Sequence, residues 1–223
     1  MKLLTLFAAL TLGTLVSGCA TTDTATRNAT NYPIAPNLAL TETAQEALPA
    51  AFLSNLQISK ILVFVPQSLK VSEANRYYPS GDIVWRGDPI GNRHEQVKAI
   101  FESAIKKTAQ SVEGEIPTQV EIEVLRFHAL TEKARYTTGG VHSIKFRISL
   151  RDTRTGLLLA EPREVKADLD GLGGQLALEA DRRGQTQKVR ITDHLAEVVR
   201  QEIARPGGHE NAKLGMFQAL NKL

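Results

Sequence analysis

The residues able to do chemistry are few, and they are scattered along the chain. One cysteine, Cys19, stands with five histidines, His94, His128, His142, His194 and His209. A single cysteine excludes an internal disulfide and any multi-cysteine metal site. The histidines fall on separate elements without ligand spacing. His128 and His142 could face each other across a hairpin and make a low-affinity metal site. Half-exposed strand histidines are the simpler reading. Glu121 and Glu123 share one face of a strand, and paired carboxylates can do acid–base work; an alternating solvent face explains them better. Gly171-Leu172-Gly173-Gly174 could turn backbone amides toward an anion, or simply connect a strand to the last helix. No G-x-S-x-G, H-E-x-x-H, P-loop or G-x-G-x-x-G pattern occurs. A non-enzymatic protein without cofactor or metal is expected.

The N-terminus carries an address. Met1-Lys2 precedes an apolar run from Leu3 to Val16, then Ser17-Gly18-Cys19. A positive charge, a short apolar stretch and small residues at its exit make a secretory signal. The run is shorter than the roughly 20 residues of a spanning helix. Val16-Ser17-Gly18-Cys19 resembles the lipobox of bacterial lipoproteins. That resemblance implies cleavage after Gly18, diacylglycerol on the Cys19 sulfur and acylation of its new amine. Ala20, not Asp, follows the cysteine, which by the same resemblance implies export to the outer membrane with the body facing the periplasm. Residues 1–18 are thus a signal peptide and residues 19–37 a lipidated tether rich in Thr, Ala and Asn.

Residues 38–206 form one mixed domain, and residues 207–223 a short amphipathic tail containing Leu214, Phe217 and Leu220. Hydrophobic residues make up 42% of the chain and charged residues 23%, which excludes a disordered chain. Lys+Arg exceed Asp+Glu by only 27 to 24, with no basic stripe, so nucleic acid is not an expected partner. Ile58–Val65 is apolar on both parities and predicts an interior strand covered on both faces. After Asn92, residues Val97, Ile100, Phe101, Ala104, Ile105 and Thr108 recur with a helical period. Asp88-Pro89 is a possible earlier helix start. Val120, Ile122 and Val124 alternate, then Leu125 and Phe127 switch parity, predicting a bulge. Ile144–Leu150 alternates next, and Asp152–Gly156 makes a hairpin connection with Gly156 left-handed. A return strand is interrupted near Pro162, and a last helix spans Gln187–Ala204. The order β-α-β-β-β-α predicts an α+β fold: a two-layer α/β sandwich with a mixed sheet of about four strands and helices on one face.

Pro66–Asn92 is the unusual stretch, about twice the 12–15 residues beyond which structureless loops become uncommon. It holds the only tryptophan, Trp85, beside Arg86 and Asp88, and the adjacent Tyr77 and Tyr78. These five are the candidate partner contacts, because aromatics and arginine dominate interface anchors. The alternative is that Trp85 plugs the core and orders the loop. Val71-Ser72-Glu73, Tyr78-Pro79, Gly81-Asp82-Ile83-Val84-Trp85-Arg86-Gly87-Asp88-Pro89, Arg93 and Gln96-Val97 resemble an uncharacterised lipoprotein family of alphaproteobacteria. Gln187–Thr192 with His194-Leu195 is similar to that family's C-terminal helix. The resemblance implies no activity. The hairpin also resembles small periplasmic accessory lipoproteins. The expected role is a lipoprotein held in the membrane through Cys19, acting as a protein-binding module of an envelope assembly. An apolar-ligand carrier, for phospholipid, is the alternative, and a hydrolase a third class.

Overall fold

The computed structural model describes residues 55–216. Cys19, the signal peptide, the tether, and Phe217 and Leu220 lie outside the described residues. The elements are β1 (Leu56–Phe64), β2 (Ile83–Val84), α1 (Arg93–Ala109), β3 (Ile116–His128), α2 (Glu132–Arg135), β4 (Gly140–Asp152), β5 (Arg163–Lys166), β6 (Leu169–Gly171), α3 (Gly174–Arg182) and α4 (Gln187–Ala204). The fold is α+β with an open mixed sheet, as the periodicities predict.

Strands run in the order β1-β3-β4-β5. β1 is parallel to β3, from Leu56 opposite Ile116 to Phe64 opposite Glu123, with α1 as the crossover. β3, β4 and β5 are antiparallel, and β6 extends the start of β4. The bulge falls between Val124 and Arg126. It keeps Val120, Ile122 and Val124 buried on one side of it and Phe127 buried on the other. A two-residue side-chain period could not otherwise hold all four on one face. Gly156 takes φ +74° in the hairpin, where its N–H donates to the Asp152 carbonyl at 2.8 Å.

Helix α1 starts at Asn92, whose side chain accepts from the Glu95 N–H, and it buries all six of its periodic residues. Helix α4 starts at Thr186, which caps Val189 in the same way, and buries Ile191, Leu195, Val198, Val199 and Ile203. Between helices and sheet runs a chain of edge-to-face rings. Trp85 meets Phe127 at 5.7 Å, Phe127 meets Phe101 at 6.2 Å, and Phe101 meets Phe146 at 5.3 Å. Such pairs add about 0.5–1.5 kcal/mol each beyond their buried area.

Three expectations need correction. β1 is an edge strand, not an interior one: Leu62 and Phe64 are 45% and 60% exposed on the sheet's open face. Asp88-Pro89 starts no helix, because the Asp88 carboxylate is taken by tertiary partners. Gly171–Gly174 leads not to the last helix but to α3, entered through Gly174 at φ +53°.

The same glycines permit a backbone crossing. A Cβ on Gly173 would lie 2.2 Å from the Gly139 nitrogen and 2.5 Å from the Thr138 carbonyl carbon. Backbone cannot retreat as a flexible side chain can. Gly173→Ala is therefore expected to destabilise the protein by about 2 kcal/mol or more. Gly207→Ala, with open space around it, should stay within about 0.5 kcal/mol. Urea denaturation of both variants checks this; equal midpoints would show that the crossing does not constrain the fold.

Candidate functional site

Pro66–Asn92 is a strap laid along the end of the sheet. Its two limbs hold each other: Asp82 and Ile83 N–H groups donate to the Lys70 carbonyl, and Ser72 N–H donates to the Ile83 carbonyl. β2 then pairs in parallel with the end of β3, Ile83 opposite Phe127 and Val84 opposite His128. This pairing places Trp85 inside the molecule, fully buried. Its Nε1–H donates to Asp88 Oδ2 at 2.8 Å. Gly87 has no side chain because the indole occupies that space; a Cβ there would meet Trp85 Cη2 at 2.3 Å.

Trp85 is thus the plug and not an exposed anchor, which corrects its place among the partner contacts. The hydrophobic burial of a large ring outweighs display once its one polar atom is satisfied. Asp88 is likewise occupied inward, accepting from Trp85 and, through Oδ1, from Lys188 Nζ at 2.7 Å. Burial opposes its ionisation, but the Lys188 and Trp85 hydrogen bonds prevail and hold the carboxyl below its usual range. Arg86 bonds Glu132 on α2 and, at 2.8 Å, the Glu73 carbonyl.

Arg93 organises the strap from beneath. It is 3% exposed, and it grips Glu73 with Nε at 2.6 Å and Nη2 at 3.0 Å. Its Nη1 reaches the Asp88 and Pro89 carbonyls and Gln96 Oε1. The Arg93 hydrogen bond, with the charges of Arg93 and Arg86, keeps the Glu73 carboxyl below its ordinary range despite some burial. Arg93, Glu73 and Lys188 are the residues that sequence reasoning assigned no role. Their only signal was membership of the strings that carry the family resemblance.

Tyr77 and Tyr78 remain outside, 41% and 54% exposed. They rim a shallow depression floored by Leu130, Ala134, Gly139 and Val141. Lys133 Nζ stands 4.8 Å from the Tyr77 ring centroid, a cation–π contact. The turn α2 is tied to the strap by Thr131 Oγ1 donating to the Arg76 carbonyl and Lys133 N–H donating to Asn75 Oδ1. Of the five predicted contacts, the structure therefore leaves Tyr77 and Tyr78 at the surface and turns Trp85 and Asp88 inward. Arg86 is half-buried, in ion pairs with Glu73 and Glu132.

The other candidates disperse. Glu121 and Glu123 lie on the open face in ion pairs with Arg151 and Arg147. His128 pairs with Ser143 in the ladder, so His142, the next residue back, points to the opposite face. The two do not form a ligand pair. His142 Nδ1 accepts the Leu130 N–H at 3.2 Å, and burial with the Arg190 charge lowers its pKa to about 3. Burial and Arg126 lower His128 to about 4.

The family comparison matches residues 56–219, nearly all of the folded body. The chain belongs to a family of unknown function, DUF6778. The match covers the strap and α4 together. No curated protein matches the chain. Three solved structures are similar at low identity. A Xanthomonas campestris protein of the DUF330 family is 12% identical at TM-score 0.39, over 69% of this chain and 85% of that one. A candidate lipoprotein of Caulobacter crescentus is 11% identical at TM-score 0.28, over 70% and 92%. The PelC dodecamer of Paraburkholderia phytofirmans is 10% identical at TM-score 0.29, over 64% and 90%. Among the described residues, no helix is long and apolar enough to cross a membrane, and no group of three or more metal-ligating side chains occurs.

Two predictions follow from these contacts. Asp88→Ala leaves a buried indole N–H without an acceptor and should cost about 1–3 kcal/mol. Asp88→Asn keeps an acceptor and should cost less, both read from urea midpoints; equal losses would mean that the indole bond contributes little. The histidines set an acid limit. With pKa values lowered to about 3 and about 4 in the folded state, both rings take up protons first in the unfolded chain, whose pKa is about 6.5. Stability is then full above pH 6.5 and falls as pH drops, by at most about 1.4 kcal/mol per pH unit per ring. Denaturation at pH 7, 6 and 5 should show a shallower slope for His142→Asn. An unchanged slope would clear His142 of that role.

Proposed function

We propose that this DUF6778 member is a non-enzymatic lipoprotein, anchored through Cys19 in the outer membrane and facing the periplasm. Its α/β domain docks a protein of a cell-envelope assembly at the Tyr77–Tyr78 rim. The observation that carries this reading is two adjacent exposed tyrosines on a strap whose Glu73, Arg86 and Asp88 are held in ion pairs. Tyrosine rings have few rotatable bonds and lose little conformational freedom on binding, which is what interface anchors require. The anchor rests on the single cysteine's place after Val16-Ser17-Gly18. Three acyl chains, at about 0.8 kcal/mol per buried CH₂, hold a protein far more firmly than one. A carrier of an apolar ligand gains nothing from the core, whose interior beside α1 is filled by Trp85, Phe101, Phe127 and Phe146.

In cells, a photo-crosslinking residue at position 78 is expected to capture one envelope protein, identified by mass spectrometry. The same probe at position 157, on the distant hairpin, should not capture it. Cys19→Ser should release the protein from the membrane fraction as an unlipidated form. Equal capture from both positions would overturn the docking surface. Retention of Cys19→Ser in the membrane would overturn the anchor.

A further inference from the structure

The rim that carries Tyr77 and Tyr78 is also where two pieces of chain meet with unequal charge. The Arg76 carbonyl accepts from Thr131 Oγ1 at 2.8 Å, and Thr137 Oγ1 lies 3.4 Å from the Tyr77 hydroxyl. Lys133 Nζ stands 4.8 Å from the Tyr77 ring centroid. These contacts join the strap around Tyr77 to the turn between β3 and β4.

The carboxylates of both pieces are committed. Glu73 pairs with Arg93 and Arg86, Glu132 with Arg86, and Asp88 with Lys188. Asp82 Oδ2 accepts the Lys70 N–H at 2.9 Å. Asp181 of α3 is in an ion pair with Arg135 of α2. Arg76 and Lys133 are exposed, and neither is in an ion pair among the described residues. An approaching cation therefore meets only carboxylates that already have a partner. An approaching carboxylate meets two cations that have no counter-charge to give up.

The aromatic and apolar groups complete the surface. A carboxylate that reaches the Lys133 ammonium arrives beside the Tyr77 ring, whose face already attracts that ammonium. Leu130, Ala134 and Val141, all buried, floor the depression next to both tyrosines. A shallow apolar floor suits the end of one side chain and gives no charge a partner.

We infer that this rim selects an acidic segment of its protein partner, a run of Asp or Glu around one apolar side chain. The acids meet Arg76 and Lys133, and the apolar group meets the depression beside Tyr78. This inference rests on the docking role proposed for the rim and adds the chemistry of what docks there. Rim charges of this kind set partner choice and the rate of encounter more than final affinity, and salt screens them.

The test selects a phage-displayed random peptide library against the full mature protein. Enriched peptides are expected to carry net negative charge and one aromatic or aliphatic residue. Synthesised with a fluorophore, they should bind Lys133→Glu and the milder Arg76→Gln about threefold or more weakly, while Lys133→Arg keeps the affinity. Raising salt from about 50 to about 300 mM should weaken binding by about threefold or more. Tyr78→Ala should weaken it as well, and unchanged thermal midpoints show that the variants are folded. Enrichment of basic or uncharged peptides, or no enrichment, overturns the inference. So do acidic peptides indifferent to both charge variants. Binding of phosphatidylglycerol vesicles through Lys133 and Arg76 in place of peptides also overturns it, in favour of a lipid surface. The crosslinking probe at position 78 separates the two claims. A captured partner linked through a segment without acids sinks the charge selection alone, whereas no capture sinks the docking role.

Discussion

The guanidinium of Arg93 is buried at the first turn of α1, and it cannot shed its charge as a carboxyl or an imidazole can. Removing its counter-charge would leave an uncompensated buried ion, a loss of about 3–5 kcal/mol in comparable cases. Glu73 must therefore return to the helix from twenty residues upstream, and the strap between them is closed by that bidentate grip. The remaining Arg93 donors take the Asp88 and Pro89 carbonyls, which orients the Asp88 side chain toward Trp85. Indole, carboxylate and Lys188 then link the strap to α4 across 100 residues of sequence. One buried charge thus ties together the strap, both long helices and the end of β3.

Much of the layer architecture was legible because it depends on periodicity, and periodicity is local. All six periodic positions of α1 and all five of α4 are buried. The parity switch around Leu125 marked the bulge for the same reason: an alternating strand cannot change face without an extra residue. β1 misled because apolar residues on both parities describe an interior strand in water-soluble sheets generally. Here Leu62 and Phe64 stand opposite Glu121 and Glu123 on a face otherwise built from ion pairs.

The site was less legible, since it is made of long-range polar contacts with no period. Arginine and glutamate are ordinarily surface residues, so nothing local distinguishes Arg93 and Glu73 from the exposed charges of α1. Trp85 was visible as unusual, yet its burial depends on β2, a two-residue strand too short to leave any pattern. The split of the predicted contacts into inward Trp85 and Asp88 and outward Tyr77 and Tyr78 follows from that short pairing.

The crossing of Gly139 and Gly173 has a further meaning for recognition. Where two backbones touch without side chains, no substitution can reshape the surface without displacing the fold. At Gly139 the floor of the depression is therefore fixed main chain, while Leu130, Ala134 and Val141 build the rest of it from side chains. For the proposed docking role, shape and polarity would be set by side chains around that fixed point, foremost the exposed Tyr77, Tyr78 and Thr138, which can change without moving main chain.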